Sequence, residues 1–413
     1  MNTLANPLST GNWVAAWAGP IARHPAPQVF DNQTVRLRIE ASVGGQAIRI
    51  ALSNEYGTTP IRVGAASIST FDTQGVENHP TPLSFGGQRG IEIPAGAVVL
   101  SNEVSMDVEP GQHISVKLYL PNETLSESAV LVQGPELPLT HPLAVPVPDF
   151  ARVEISEEGD FTSVAGLPGT TPGVHLPFLS RIDVLAKEGV STVAVLGTTY
   201  TDGLGVWPDY LSRRLNTERE AQQVSIVNLS ARGGSLANGH APSGRQGVVA
   251  TFDREVATLP GVSHIIVSEA RQDIATAGTV SLKADGSRSD DAADDHSGDT
   301  LGITVESLQA AYRQLIAKAH VRGIKVLAAT MPPFRGVPAP GYYSEEKDAI
   351  REDLNRWMLE SGEFDGVIDI DGLMRDPEDN RQYREEFRSA NQFGPNPAGH
   401  LAIAESIDAD TFN

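Results

Sequence analysis

The chain contains no cysteine. Disulfides, thiolate nucleophiles and cysteine-held zinc are therefore excluded, and the redox compartment stays open. Long apolar runs are missing too: nothing approaches the ~20 residues a membrane-crossing helix needs. The stretch from Met1 to Gly11 has neither the basic start nor the apolar core of a secretory leader, so cytoplasmic residence without a membrane partner is the expectation. Basic residues are scarce beside acidic ones, 31 against 52, for a formal charge of −21. Such a surface repels polyanions, which disfavours nucleic acid and anionic membranes as partners. No grouping of His, Asp and Glu has metal-ligand spacing, and no cofactor motif stands out, so neither a metal nor a cofactor is expected.

What is present suffices for two full cores: 413 residues, 40% of them hydrophobic. Up to about Phe150, runs such as Thr34–Ile39, Ala47–Leu52 and His113–Leu120 alternate apolar with polar residues and are punctuated by Gly-Gly and Pro-Gly turns. That pattern predicts an antiparallel β-sandwich over residues 1–155. A Gly-, Pro- and Thr-rich stretch from Ser156 to Pro177 reads as a linker, placed at 156–180. From residue 181 to 413 apolar runs alternate with amphipathic helices. Ser191–Leu196, Val224–Asn228, His264–Ser268, Lys325–Thr330 and Gly366–Asp369 read as buried parallel strands, with helices such as Leu308–Val321 and Ser344–Ser361 between them. This order predicts a three-layer α/β domain that binds ligands at the carboxyl ends of its strands.

Four short segments fall at such ends. Val193–Gly203 is an apolar strand running into a turn, with Thr198-Thr199-Tyr200-Thr201-Asp202-Gly203 at its tip. Asn228-Leu229-Ser230-Ala231-Arg232-Gly233-Gly234 follows the second strand, Val267-Ser268-Glu269-Ala270-Arg271-Gln272-Asp273-Ile274 the third, and Asn391-Gln392-Phe393-Gly394-Pro395-Asn396-Pro397 precedes the last helix. In this order the segments resemble the blocks of the SGNH (GDSL-type) esterases and acylhydrolases. The runs Trp13–Trp17, Asn32–Arg36, Leu52–Asn54 and Phe85–Gly87 resemble the β-rich N-terminal domain found in one subgroup of them.

The resemblance implies an acyl-transfer site, yet its chemical residues are replaced. Thr199 stands at the nucleophile position, with Thr198 before it; Asn391 stands at the aspartate and Gly394 at the histidine. Gly233 matches the glycine whose N–H serves the oxyanion hole, Gln272 takes the place of the oxyanion asparagine, and Arg271 falls where the family carries an aliphatic side chain. A hydroxyl attacks only after a positioned base takes its proton, and a third group must orient that base. The ordinary hydrolytic mechanism is thus expected to be absent.

Three functions remain. The leading one is a non-hydrolytic catalyst, of cyclase, isomerase or lyase type, acting on a small metabolite with a carbonyl or carboxylate oxygen. The others are a ligand- or carbohydrate-binding pseudoenzyme and a residual acylhydrolase with a rebuilt mechanism. Thr199, Arg271, Gln272 and Asn391 are the candidate catalytic residues, and Thr198, Gly233, Asp202, Asp273 and Phe393 the candidate substrate contacts. Asp202 and Asp273 also read as helix-capping scaffold, and Glu269 as scaffold. Arg271 either pairs with a carboxylate such as Glu269 or Asp273 or meets a ligand oxygen. His240 reads as an exposed loop residue and His400 as packing. The acidic segment 275–302 reads as a solvated loop positioned to act as a lid.

Overall fold

The computed structural model describes residues 11–24, 26–130, 151–173, 175–198, 201, 206–218, 224–231, 233–237, 246–277 and 302–413. The first part is built on two large antiparallel sheets, with three smaller antiparallel sheets of two or three strands beside them. One orders the strands Trp13–Ala18, Leu179–Leu185, Gly45–Ser53 and Val98–Leu100, with Val104–Val108 also paired to Gly45–Ser53. The other runs Thr171–Pro172, Ala151–Glu158, Gln33–Glu40, His113–Leu120, Ala65–Thr70, Thr81–Pro82. Alternation sets the faces: Val35, Leu37 and Ile39 enter the core, opposite Leu118, Val116 and Ile114 of the neighbouring strand, while Arg36 and Arg38 point the other way. Arg36 is anchored there by Glu77 and Glu154, and Lys117 reaches the same Glu77 carboxylate at 3.1 Å.

The stretch expected to be a linker, 156–180, lies inside this β-rich part. Ala151–Glu158 pairs with Gln33–Glu40, and Leu179–Leu185 is sandwiched between Trp13–Ala18 and Gly45–Ser53, with Ile182 facing Ile50. Its Gly159, Gly166, Pro168 and Gly169 lie in the turns between strands, whereas the flanking Val153, Ile155, Ile182 and Val184 alternate into the core.

The second part holds five parallel strands: β1 (Ser191–Gly197), β2 (Val224–Asn228), β3 (Val262–Ser268), β4 (Lys325–Ala329) and β5 (Gly366–Ile368), in the order β2-β1-β3-β4-β5. Strand β1 is buried on both faces. Ala194 and Leu196 pack with α2 (Val248–Glu255), α4 (Val305–His320) and α5 (Glu345–Glu360); Val193 and Val195 pack with α1 (Trp207–Glu218) and α7 (Pro397–Ser406). Two shorter helices, α3 (Arg271–Thr276) and α6 (Ile370–Met374), follow β3 and β5. A near-continuous apolar strand is what a sheet covered on both sides requires. Helix starts carry their sequence signals: Thr304 and Ser307 form a capping box on α4, Ser344 caps α5, and Asn396 caps α7 ahead of Pro397. Because the chain leaves β1 toward β2 and then crosses back to β3, the crevice beyond the carboxyl ends of β1 and β3 is the switch point of the sheet.

The two parts share an interface. Ala15 and Ala18 belong to the α/β core, the Ala15 N–H donates to Thr192 Oγ1 at 3.1 Å, Ser225 Oγ donates to the Ala15 carbonyl, and Arg213 forms a two-pronged pair with Glu40 at 2.8 and 3.0 Å. Among the described residues no helix is long and apolar enough to cross a membrane.

Candidate functional site

Strand β1 ends at Gly197, where a side chain has no room: a Cβ there would lie 2.0 Å from Thr201 Oγ1. Thr201 closes the turn, donating from both its N–H and its hydroxyl to the Thr198 carbonyl, at 2.7 and 2.8 Å. Thr198 is fully buried. Thr199 and Asp202 lie outside the described residues, as do His240 and most of the acidic segment, 278–301. At the end of β2, Asn228 ties the first two motifs together: its amide donates to the Thr201 carbonyl at 2.8 Å, and its Oδ1 accepts from Ser230 N–H at 3.0 Å. The Ala231 N–H then donates to the Gly197 carbonyl. Ser230 keeps a buried hydroxyl that has no hydrogen-bond partner among the described residues, 3.1 Å from where a Gly197 Cβ would be.

Gly233 adopts φ +67°, the left-handed region that glycine enters freely. Just beyond it, Leu236 and Ala237 donate their N–H groups to the two carboxylate oxygens of Asp273, at 2.8 and 3.2 Å. Asp273, one of the expected substrate contacts, is thereby engaged as a clamp between the second and third motifs. Glu269 is fully buried and its carbonyl accepts from the Tyr312 hydroxyl at 3.1 Å. Ala270 then turns the chain at φ +79°, an unusual backbone for a residue with a Cβ, and launches α3 at Arg271.

Arg271 is completely buried. Its Nη1 donates to the Phe393 carbonyl at 2.6 Å, and its guanidinium lies 5.6 and 5.7 Å from the ring centres of Phe334 and Tyr342. Phe393 completes this wall with its ring edge-on to Tyr342 at 5.4 Å. Gln272 is 9% exposed and its side-chain amide has no hydrogen bond among the described residues. Asn391 is turned into its own loop, its Oδ1 accepting from Ser389 Oγ and from the Phe393 N–H at 3.0 and 3.1 Å. Gly394 contributes its carbonyl to Ser389 Oγ in the same loop.

Behind the arginine stands Tyr383, whose hydroxyl is pushed up to about 12 by burial, with the Arg271 charge pulling the other way. Further in, burial raises the Asp371 carboxyl while Arg351 and Arg375 oppose that rise, Arg351 bridging Asp371 and Asp348 at 2.7 Å each. His400, on α7, accepts the N–H of Trp207 at Nδ1, 3.3 Å away at the start of α1, and burial brings its pKa down to about 4. Among the described residues no group of three His, Asp or Glu is placed to hold a metal.

The sequence model of the GDSL-like lipase/acylhydrolase family matches residues 189–402, just over half of the 413. The chain belongs to that family. Solved structures similar to it include TesA, at 16% identity over 52% of this chain and 95% of that one, TM-score 0.35. LAE5, an α/β hydrolase from the metagenome of Lake Arreo, Spain, has 15% identity over 52% and 92%, TM-score 0.36. Est24, a carbohydrate acetylesterase from Sinorhizobium meliloti, has 12% identity over 53% and 97%, TM-score 0.37. No curated protein matches the chain.

Within this GDSL-family domain the carboxyl ends of β1, β2 and β3 bring Thr198, Ser230, Gly233, Arg271, Gln272 and Asp273 to one edge, and the loop before α7 adds Asn391 and Phe393 to it. The arrangement offers a donor, the Gln272 amide, while the Arg271 guanidinium already donates to the Phe393 carbonyl. Sequence reasoning missed the aromatic residues Phe334, Tyr342 and Tyr383, which come from loops after β4 and α6 and carry no periodicity to reveal them. The hydroxyl of Ser230 was visible only as a motif position.

Proposed function

We propose that this GDSL-family protein binds a small ligand through a carbonyl or carboxylate oxygen and converts it without ester hydrolysis, by a cyclisation, isomerisation or elimination. The observation that supports this reading most is the loop before α7. Gly394 stands where an imidazole base is needed, and the Asn391 oxygen, at the position of the orienting aspartate, already accepts from Ser389 and Phe393. Removing a whole triad costs about six orders of magnitude in turnover. His400 is no substitute base, because its Nδ1 lone pair meets the Trp207 N–H, which leaves the proton on Nε2. A reaction driven by positioning and by oxygen-directed donors needs no nucleophile, and Gln272 supplies such a donor.

Hydrolysis by a rebuilt route is the second reading, favoured by one feature: the Ser230 hydroxyl, buried beside Gly197 and without a partner among the described residues. Steady-state hydrolysis of p-nitrophenyl acetate separates the two. The wild-type protein and its Thr199→Ser variant should both stay at background, since a serine without a base gains nothing. Turnover abolished by Thr199→Ala or by Ser230→Ala would replace the proposed function with an esterase.

A further inference from the structure

A cleft of about 590 Å³ opens where α6 meets the residues that follow it, with Arg375, Asp376, Glu378, Asn380 and Arg384 in its lining. Sites for small ligands have volumes of this order. The turn that forms the cleft is cross-tied. The Asp376 N–H donates to the Gln382 carbonyl at 2.8 Å, the Glu378 N–H to Asp376 Oδ1 at 2.8 Å, and the Arg384 N–H to the Met374 carbonyl at 2.9 Å. Asn380 fastens the turn to α5: its amide donates to Glu352 at 2.7 Å, and its carbonyl accepts from Arg351 Nη2 at 3.3 Å.

From residue 375 to 384 the chain carries six charged side chains, and three of them have found opposite partners. Arg375 pairs with Asp371 at 3.0 Å, Asp379 with Arg335 at 2.9 Å, and Arg381 with Glu345 at 3.1 Å. The other three, Asp376, Glu378 and Arg384, have no ionic partner among the described residues, and all three line the cleft. Arg384 uses only its Nε, on the Arg375 carbonyl at 3.2 Å, which leaves both terminal amines of its fork to spare. Opposite charges that share a cleft without pairing present both signs to whatever enters. A plain anion would have to pass Asp376 and Glu378 on a chain of formal charge −21, and a plain cation would meet two arginines. A molecule carrying both charges answers both walls.

We propose that this cleft binds a small peptide zwitterion, its carboxylate on Arg384 and Arg375 and its ammonium on Asp376 and Glu378. A dipeptide separates its two charges by about 5–7 Å and leaves its side chains toward the open mouth. The guanidinium fork suits a carboxylate, and a carboxylate accepts from an ammonium with charge on both sides of the bond. None of these residues belongs to the candidate site, so the proposal stands apart from the proposed function.

Calorimetric titration of the whole protein with glycylglycine tests it, beside N-acetylglycylglycine, which lacks the ammonium, and glycylglycinamide, which lacks the carboxylate. Glycylglycine should bind with a Kd in the millimolar range, and each blocked peptide at least about tenfold more weakly. Arg384→Gln and Glu378→Gln should each weaken glycylglycine about fivefold, the modest effect expected where water screens the charges. Arg384→Gln also loses the bond to the Arg375 carbonyl; Glu378→Gln has no side-chain partner to lose, should melt with the wild type, and decides the matter if the first variant fails to fold. No binding of glycylglycine by the wild type, equal affinity for either blocked peptide, or unchanged affinity in Glu378→Gln would overturn the proposal.

Discussion

At the scale of single residues, Arg271 decides most of the local architecture, since it carries a full charge into a volume walled by Phe334 and Tyr342 and holds the Phe393 carbonyl. Arg271→Ala removes a charge-assisted hydrogen bond and two ring contacts at once, and should destabilise the protein by about 2–4 kcal/mol in urea unfolding. A change under about 0.5 kcal/mol would show that its contacts are unimportant for folding. His400 and His175 set the response to acid: burial lowers each to about 4, with His24 adding to the effect on His175. Both groups take up protons more readily unfolded than folded, so their contribution is complete above pH 6.5 and is lost as pH falls from there toward 4. With allowance for partial solvent access, each should cost about 1–2 kcal/mol at pH 4.5. Urea midpoints of the wild type and His400→Gln, compared at pH 7.5 and 4.5, should show the variant losing less. The chemistry of these residues was legible only where a motif named the position. Thr198, Gly233, Arg271 and Gln272 could be found that way, whereas Tyr342 and Tyr383 acquire meaning from partners across loops.

At the scale of elements, the β3–α3 junction is the piece that organises the edge of the sheet. Ala270 turns it in a left-handed backbone, and Asp273 then binds the N–H groups of Leu236 and Ala237, residues 37 and 36 positions away. Asp273→Ala strips two charge-assisted bonds and leaves two N–H groups without that partner, at a cost of about 2–4 kcal/mol; Asp273→Asn should cost less, because its Oδ1 can still accept one of them. Hydrogen exchange at Leu236 and Ala237 checks this, with unchanged protection in Asp273→Ala as the contrary outcome. The five parallel strands were readable because apolar runs of strand length, buried on both faces, are distinctive. Leu179–Leu185 was not, since the Gly- and Pro-rich turns before it mask its return to the first sheet.

At the scale of the molecule, the β-rich part and the GDSL-family part are joined by more than a chain crossing. Trp13–Ala18 lies against β2, with Ala15 and Ala18 in the second core, and Arg213–Glu40 and Arg254–Glu55 close the margins. Such an interface should make the two parts unfold together. Trp13 and Trp17 report on one part, Trp207 and Trp357 on the other. Removing each pair in turn as Trp→Phe should leave fluorescence transitions that coincide in urea; two separate midpoints would mean that the parts are energetically independent.

The central claim is that a GDSL-family framework here carries a pocket for an oxygenated ligand without an activated nucleophile. Reaction with a fluorophosphonate, followed by intact-protein mass spectrometry, tests it most directly, because such a probe reports an activated hydroxyl whatever the natural substrate. The account predicts no adduct on the wild-type chain. A single stoichiometric adduct mapped to Thr199 or Ser230 would contradict it.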